Sequence, residues 1–425
     1  MLKGKTLILG VSGGIAAYKA AVLCSAFSQA GAEVYVLMTE HAKEFVGPAT
    51  FEALSGHRVI SDTFRSEEFL IPHIHLAKKA DLFVIAPATA NLLAKLACGI
   101  ADDMLTSTFL ACTCRKLVVP AMNVNMYENP ATRANLDTLR SRGIHLLEPD
   151  TGHLAEGISA KGKMPEPSVI YQEAEYLVSE KQDLLGKKLV VTAGPTREAL
   201  DPVRYLTNRS TGKMGYALAK AAAQRGAEVR LVSGPVELLS SGVETAVLTG
   251  NKGSGGVLLP PGVTRIPVQS AADMAAAVKQ EAEEADCIIM AAAVADFTPA
   301  EPSKEKIKKT GLSLKKDAQG NVVYQLALKR TEDILAWLGK NRKAGQKIVG
   351  FSMETENLVQ NSRKKLLEKQ ADLIVANSLR QAGAGFGTDT NAVTLIGPET
   401  EKELPLLSKE ETAHRVLDAA FYGIG

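Results

Sequence analysis

Charge of one sign is missing from this chain. Its 49 lysines and arginines face 47 aspartates and glutamates, a formal net charge of +2 at pH 7. That balance leaves no whole-chain footprint for nucleic acid or an acidic surface. No run approaches the ~18 unbroken apolar residues of a membrane span. Cysteine is scarce. Cys24, Cys98, Cys112, Cys114 and Cys287 lack metal-ligand spacing and sit mostly in apolar runs, which suits reduced, buried thiols in a cytoplasmic protein. Two phosphate signatures are absent as well. Gly10-Val11-Ser12-Gly13-Gly14 is not Gly-x-Gly-x-x-Gly. Gly212-Lys213 is not a P-loop, because Thr207 stands five residues before Gly212 and Met214 follows Lys213. The lysine-flanked stretch Thr6-Leu7-Ile8-Leu9 superficially resembles a secretory leader. Ser12-Gly13-Gly14 breaks it, and a strand, a glycine turn and a helix explain it better.

What is present is ordinary globular material, 46% hydrophobic and 23% charged over 425 residues, long enough for two or three domains. Two segments open alike. Residues 4–38 run from Gly-Lys through an apolar strand to Gly13-Gly14, a helix, and Gly31-Ala32-Glu33-Val34 before a second strand. Residues 186–233 repeat the plan from Gly186-Lys187 to Gly226-Ala227-Glu228-Val229. Each is a βαβ start, so each is expected to open its own parallel sheet. Strands at 82–85, 117–119, 287–290, 348–351 and 373–375 are apolar on both faces, which implies sheets covered by helices on both sides. The expected fold is α/β, with two doubly wound, Rossmann-like domains at about 1–185 and 186–425. Residues 165–185 are read as the connection, and 250–262 and 298–320 as loops.

Several motifs suit ligand chemistry, each beside a plainer explanation. Pro120-Ala121-Met122-Asn123 follows an apolar strand, where open α/β sheets bind ligands; it is also turn-like. Ser12-Gly13-Gly14-Ile15-Ala16 lets backbone approach a phosphate, and the spacing fits a mononucleotide such as FMN better than a dinucleotide; a tight turn is the alternative. Ala88-Thr89-Ala90-Asn91 follows the strand at 82–85, with Thr89 also a helix cap. Asp102-Asp103 lacks a third metal ligand, leaving capping or cofactor contact. His73 and His75 alternate, and spacing alone does not choose between them; a solvated strand face is the plainer reading. Asn208-Arg209-Ser210-Thr211-Gly212-Lys213-Met214-Gly215 forms an anion cradle at a helix start. Lys304-Glu305-Lys306-Ile307-Lys308-Lys309 suits a triphosphate, or is a solvated charged face.

In this order, these segments and Ala292-Ala293-Val294-Ala295-Asp296 closely resemble one family over nearly the whole chain: the bifunctional bacterial coenzyme A biosynthesis proteins, a phosphopantothenoylcysteine decarboxylase fused to a phosphopantothenate–cysteine ligase. The resemblance implies an N-terminal flavoprotein domain that binds FMN through Ser12, Gly13, Gly14, Ile15, Ala16, Thr39, Ala88, Thr89, Asn91 and Asp102. The family's His-Ile-x-Leu selects His73, which would activate or orient the substrate while FMN oxidises its cysteine end to a thioaldehyde and carboxylate loss follows. Asn123 would hold the carboxylate. The C-terminal domain would activate 4′-phosphopantothenate with CTP and Mg2+, giving an acyl-cytidylate that cysteine's amine attacks. Asn208 would hold the acyl group and Lys306 the charge on the α-phosphate. Met290, Ala291, Ala292, Asp296, Glu332, Asp333, Ile334, Leu335, Phe351, Lys365 and Lys369 fall at nucleotide positions. No metal ligand is assigned. The family also implies a homo-oligomer, a dodecamer of flavin-domain trimers and ligase-domain dimers, with no nucleic acid or membrane partner.

The chain departs from the pattern twice. Leu154-Ala155-Glu156-Gly157 stands where the family's flap carries Ala-Cys-Gly, its Cys donating the last proton. Glu156 serves if burial raises its pKa; otherwise the second half-reaction is slow or missing. Arg330-Thr331-Glu332-Asp333 stands where the family has Asn-Pro-Asp. Two other functions fit parts of the chain: a flavoprotein that stops at an enethiol, and a flavin-binding regulatory subunit.

Overall fold

Thr6–Val11 is six residues of uninterrupted apolar or small side chains, all buried. Such a strand has to sit inside a covered sheet. It is β1, and it pairs in parallel with β2 (Glu33–Met38) on one side and β3 (Leu82–Ala88) on the other. With β4 (Arg115–Pro120) and β5 (His145–Leu146) the order is β2-β1-β3-β4-β5. Phe27 of helix Ala17–Gln29 and Ile170 of helix Pro167–Val178 pack on one face, and Leu93, Leu105 and Leu136 from three further helices on the other. The order reverses between β1 and β3, so a crevice opens at their carboxyl ends. The computed structural model describes residues 2–63, 70–153, 157, 159–179, 181–237, 257–308, 315–316, 319, 322–323, 326–354, 357–378 and 388–424. These form two compact units that divide between Ser179 and Lys181.

The stretch 165–185 is not a free connection. Pro167 starts a helix, as proline does at a first helical position. Ile170, Ala174 and Val178 then enter the first core, and Tyr171 stacks on Phe27 at 5.7 Å. Lys181–Leu185 belongs to the second unit, where Leu184 N–H donates to Arg225 O at 3.0 Å. The Glu- and Gln-rich run, helix-like in the sequence, is an amphipathic helix whose buried Ile170, Ala174 and Val178 recur every four residues.

The second unit repeats the logic on a larger sheet. Strands Val263–Pro267, Glu228–Ser233, Lys188–Ala193, Cys287–Met290, Lys347–Glu354 and Leu373–Ser378 run parallel in that spatial order. Val393–Ile396 and Glu401–Glu403 extend the edge antiparallel. The first strand in sequence, Lys188–Ala193, lies inside the sheet, so the order again reverses, beside Cys287–Met290. The expected loop at 298–320 holds short strands, Phe297–Pro299 paired with Leu328–Arg330 and Lys315–Lys316 with Val322–Val323. Residues 250–256 lie outside the described residues. Among the described residues no helix is long and apolar enough to cross a membrane. Cys24, Cys112 and Cys287 are buried, but Cys98 is exposed, and burial pushes the Cys24 thiol up to about 12.

Arg225 has no exposed surface. It donates to both carboxylate oxygens of Asp183, at 2.9 and 2.5 Å, and lies 3.0 Å from Asp418. Burial alone would raise the Asp183 carboxyl, but the guanidinium outweighs it and holds the group at about 2. A pKa depressed by folding stabilises above the unfolded value and is lost as pH falls toward the folded one. Arg225→Ala leaves Asp183 and Asp418 with Lys181 and, for Asp183, the Tyr422 hydroxyl, and removing the buried guanidinium between them is expected to destabilise the second unit by about 3 kcal/mol at neutral pH. Urea unfolding near pH 7 reads that loss, and the deficit should shrink as the solution is acidified toward pH 2.

Candidate functional sites

In the first unit, Ser12 joins the two strand ends that define the crevice. Its hydroxyl donates to Pro87 O at 2.8 Å and accepts from Thr89 N–H at 3.0 Å. Thr89 therefore has both proposed roles within reach, since its own hydroxyl also caps helix Ala90–Cys98 through Leu92 N–H at 3.3 Å. Gly13 is required by close approach: a Cβ there would lie 2.4 Å from His41 Cβ. Thr39 precedes the short helix that carries His41, with its N–H bonded to Val11 O. Ser12 to Ala16, Thr39, Ala88, Thr89 and Asn91 thus cluster at the ends of β1, β2 and β3. Asp102 is committed to Lys95 at 2.7 Å, which holds its carboxyl below the usual range, and Asp103 closes a capping box with Thr106. Capping and pairing account for both. No group of three metal-binding side chains occurs among the described residues.

His73 and His75 lie on a helix, Pro72–Lys79, rather than on a strand. His75 is exposed. His73 is half-buried, and its Nδ1 is buried without a partner among the described residues. Asn123 sits three residues past β4 and caps helix Val124–Glu128: its Oδ1 accepts from Asn125 N–H at 2.7 Å and Met126 N–H at 3.4 Å. The same loop receives the hairpin Asp150–His153/Ser159–Lys163, where Met122 N–H donates to Gly162 O at 3.1 Å. Tyr127 is buried beside it and bonds the Glu148 carboxylate, which also takes Lys161 at 2.8 Å. Burial and that carboxylate push the Tyr127 phenol up. Glu156, between the hairpin strands, lies outside the described residues.

The second unit has a chamber of about 820 Å³ at its own reversal point. Met290, Ala291, Ala292, Asp296, Glu332, Asp333, Ile334, Leu335, Phe351, Lys365 and Lys369 all line it. Three threonines pin its floor, loop 291–296: Thr192 and Thr196 hydroxyls accept from Ala292 and Ala295 N–H at 3.0 Å each, and Thr331 donates to Ala295 O at 2.6 Å. Lys369 bonds Asp333 at 2.6 Å, while Asp333 also caps helix Ile334–Asn341. Burial opposes ionisation of Asp333, yet Lys369 holds its carboxyl below the usual range. Glu332 pairs with Lys279 at 2.6 Å. Lys365 donates to Phe351 O at 2.9 Å.

Asn208 lies at the chamber's edge with its Nδ2 donating to Ala293 O at 3.1 Å and Val294 O at 3.3 Å. Both amide hydrogens are engaged, so in this conformation the side chain offers an acceptor. That suits a substrate N–H or O–H better than an acyl oxygen. Lys306 does not line the chamber. It is exposed, on a loop that Asp201 and Arg204 clamp through the neighbouring Ile307: Ile307 N–H donates to Asp201 at 3.1 Å and Arg204 to Ile307 O at 2.7 Å. Arg204 also holds the Asp201 carboxyl far below its ordinary range. Gly215 is another close approach, its missing Cβ falling 2.5 Å from Ala193 Cβ. The sequence singles out the segments Gly194-Pro195-Thr196-Arg197 and Asp201-Pro202-Val203-Arg204-Tyr205, which hold Thr196 and the Asp201–Arg204 clamp, without assigning them a role; the pinning by Thr192 and Thr331 gave no such signal.

Two crevices at two sheet reversals define two successive α/β modules, each built to bind a ligand at its strand ends. Residues 1–178 match the Flavoprotein family, and residues 184–422 match the DNA/pantothenate metabolism flavoprotein C-terminal domain. The chain is 48% identical to the coenzyme A biosynthesis bifunctional protein CoaBC of Bacillus subtilis (strain 168), over 98% of this chain and 97% of that one. It is 43% identical to the protein of the same name from Vibrio cholerae, over 98% of each. A solved C-terminal domain of a coenzyme A biosynthesis bifunctional protein CoaBC is 39% identical, with a TM-score of 0.42, covering 56% of this chain and 95% of that chain. The chain belongs to the CoaBC family of bifunctional coenzyme A biosynthesis proteins.

Proposed function

We propose that this chain joins 4′-phosphopantothenate to cysteine with CTP in its second unit, and decarboxylates the product to 4′-phosphopantetheine with FMN in its first. The observation that carries the reading is the chamber at the second reversal point, whose lining unites the apolar strand ends, Asp296, Lys365 and Lys369. A nucleoside can rest on the pinned loop 291–296 while the lysines meet anionic oxygens. The substrate carboxylate attacks the α-phosphorus and pyrophosphate departs. Cysteine's amine then attacks the acyl carbon and CMP leaves. Asn208, as an acceptor, would orient the entering amine, and Lys306 would stabilise charge on the α-phosphate. Mg2+ fits as the triphosphate's own counter-ion. Asp296 is a carboxylate at hand, while Asp333 and Glu332 are occupied by lysines, an arrangement that suits a cation held mainly by phosphates.

The first unit's crevice fits a flavin mononucleotide. Gly13 leaves no room for a side chain, Ser12 and Thr89 line the strand ends, and Ile15 is 64% exposed at the mouth. When bound, FMN supplies two-electron oxidation of the cysteine end and returns the electrons afterwards. Asn123 would orient the carboxylate that is lost, and His73, whose Nδ1 has no partner among the described residues, would accept or orient a proton of the substrate. Glu156 stands at the flap position for the last proton. We place the protein in the cytoplasm as a homo-oligomer, a dodecamer built from trimers and dimers. Exposed Ile15, Tyr18, Ile74, Leu110 and Met126 on the first unit support coverage by further copies.

Mass spectrometry of products from 4′-phosphopantothenate, cysteine and Mg-CTP tests the reading. Accumulation of 4′-phosphopantetheine is expected. Arrest at phosphopantothenoylcysteine would remove the flavin half of the proposal, and arrest at an oxidised enethiol would remove Glu156 as proton donor. Absence of any cysteine adduct would remove the ligase half.

A further inference from the structure

The large chamber continues into a smaller one of about 70 Å³, with Ser210, Ala291, Phe351 and Met353 common to both. A space of this size accommodates a phosphate group. Thr211 to Gly215 of the cradle motif line it, and the rest of its wall comes from parts of the chain that no motif covered: Asn377 on strand Leu373–Ser378, Asn391 on the short strand Thr390–Asn391, and Lys409 at the start of helix Lys409–Tyr422.

Everything about this smaller chamber suits an anion. Helix Lys213–Gln224 opens onto it without a side-chain cap, so its positive end meets whatever enters. Lys213 and Lys409 both line it. Lys213 is bonded to the well-exposed Asp389 at 2.7 Å, and Lys409 to Thr388 O. Lys409 is 8% exposed, and burial together with Lys213 lowers its ammonium to about 8. Asp389 answers part of this charge from the exposed side, and an anion entering the chamber would meet both ammonium groups from within.

The amides give an independent sign. Asn377 is 8% exposed and Asn391 2%, and the Oδ1 of each is buried without a partner among the described residues. Burying such a group unpaired is unfavourable, and a ligand that pairs it relieves the cost. Among the described residues Asn391 Nδ2 reaches Met214 Sδ alone, at 3.8 Å, so turning the amide to present N–H sacrifices little.

We infer that Lys409 and Asn391 bind the terminal phosphates of the nucleotide and hold the pyrophosphate as it leaves. This rests on the nucleotide chamber argued above. It assigns the last helix of the chain to the chemistry of the first activation step, since charge held on the departing group stabilises its departure.

Calorimetric titration of the full-length protein with pyrophosphate, and separately with CMP, tests the assignment. Lys409→Met is expected to weaken pyrophosphate at least about tenfold and to raise the KM for CTP, while CMP binds as before; Lys409→Arg should restore most of the loss. Asn391→Ala is the second variant, expected to weaken pyrophosphate in the same sense if Lys409→Met does not fold. Wild-type pyrophosphate affinity in the folded variants would overturn the inference alone. Failure of the unaltered protein to bind either CMP or CTP would overturn the nucleotide reading beneath it.

Discussion

Asn123→Asp is expected to lower carbon dioxide release from phosphopantothenoylcysteine by about 10²–10³-fold. Aspartate caps a helix as well as asparagine does, so the bonds that Oδ1 takes from Asn125 and Met126 N–H survive. The loop keeps its shape, and the other end of the group changes from a donor amide to an anionic oxygen. Against a substrate carboxylate about 4 Å away, two like charges repel by roughly 4 kcal/mol at the effective dielectric of a partly buried site, which is about a 10³-fold rate loss if felt in full. The variant should regain activity as pH falls through the carboxylate range, because the introduced carboxyl, once protonated, is neutral and can donate again. Ligation and flavin absorbance should be unchanged. Undiminished carbon dioxide release at neutral pH would remove Asn123 from the carboxylate site.

The sheets were legible because their strands are apolar on both faces, as in Leu82-Phe83-Val84-Ile85, where all four residues are buried. The duplicated opening at 4–38 and 186–233 was legible because glycine and hydroxyl residues must follow a strand that ends in a ligand crevice. What stayed hidden depends on pairing across long stretches of chain. Thr196 holds Ala295, 99 residues away, and Asp201 holds Ile307, 106 away. A threonine or aspartate gives no sign of such a partner in its own neighbourhood. The alternation of His73 and His75 imitated strand periodicity, but Pro72 starts a helix there. Helix Pro167–Val178 was legible as a helix-like run rich in Glu and Gln, but not as part of the first core, where Ile170, Ala174 and Val178 pack and Glu175 is itself buried. Lys409 begins a helix with an ordinary capping box, Ser408 to Glu411. Only the packing of that helix turns a lysine in a capping segment into a buried cation.

Lys306→Ala is expected to reduce CTP-dependent pyrophosphate release by about 10²–10³-fold, the loss typical of removing one preorganised charge from a developing anion. The substitution should leave its loop in place. The anchors are backbone groups of Ile307, held by Asp201 at 3.1 Å and Arg204 at 2.7 Å, and neither involves the lysine side chain. Because Lys306 stands outside the lining of the chamber, its contribution should appear in kcat more than in the KM for CTP, as for a group that meets the α-phosphate when the nucleotide is bound. Lys306→Arg keeps the charge and should retain a measurable fraction of the rate. Decarboxylation of added phosphopantothenoylcysteine and the flavin spectrum should stay at wild-type levels, since both depend on the first unit. A normal rate of pyrophosphate release in the alanine variant would assign Lys306 to a solvated surface and leave Lys365, Lys369 and the helix start at Gly212 to carry the phosphate charge.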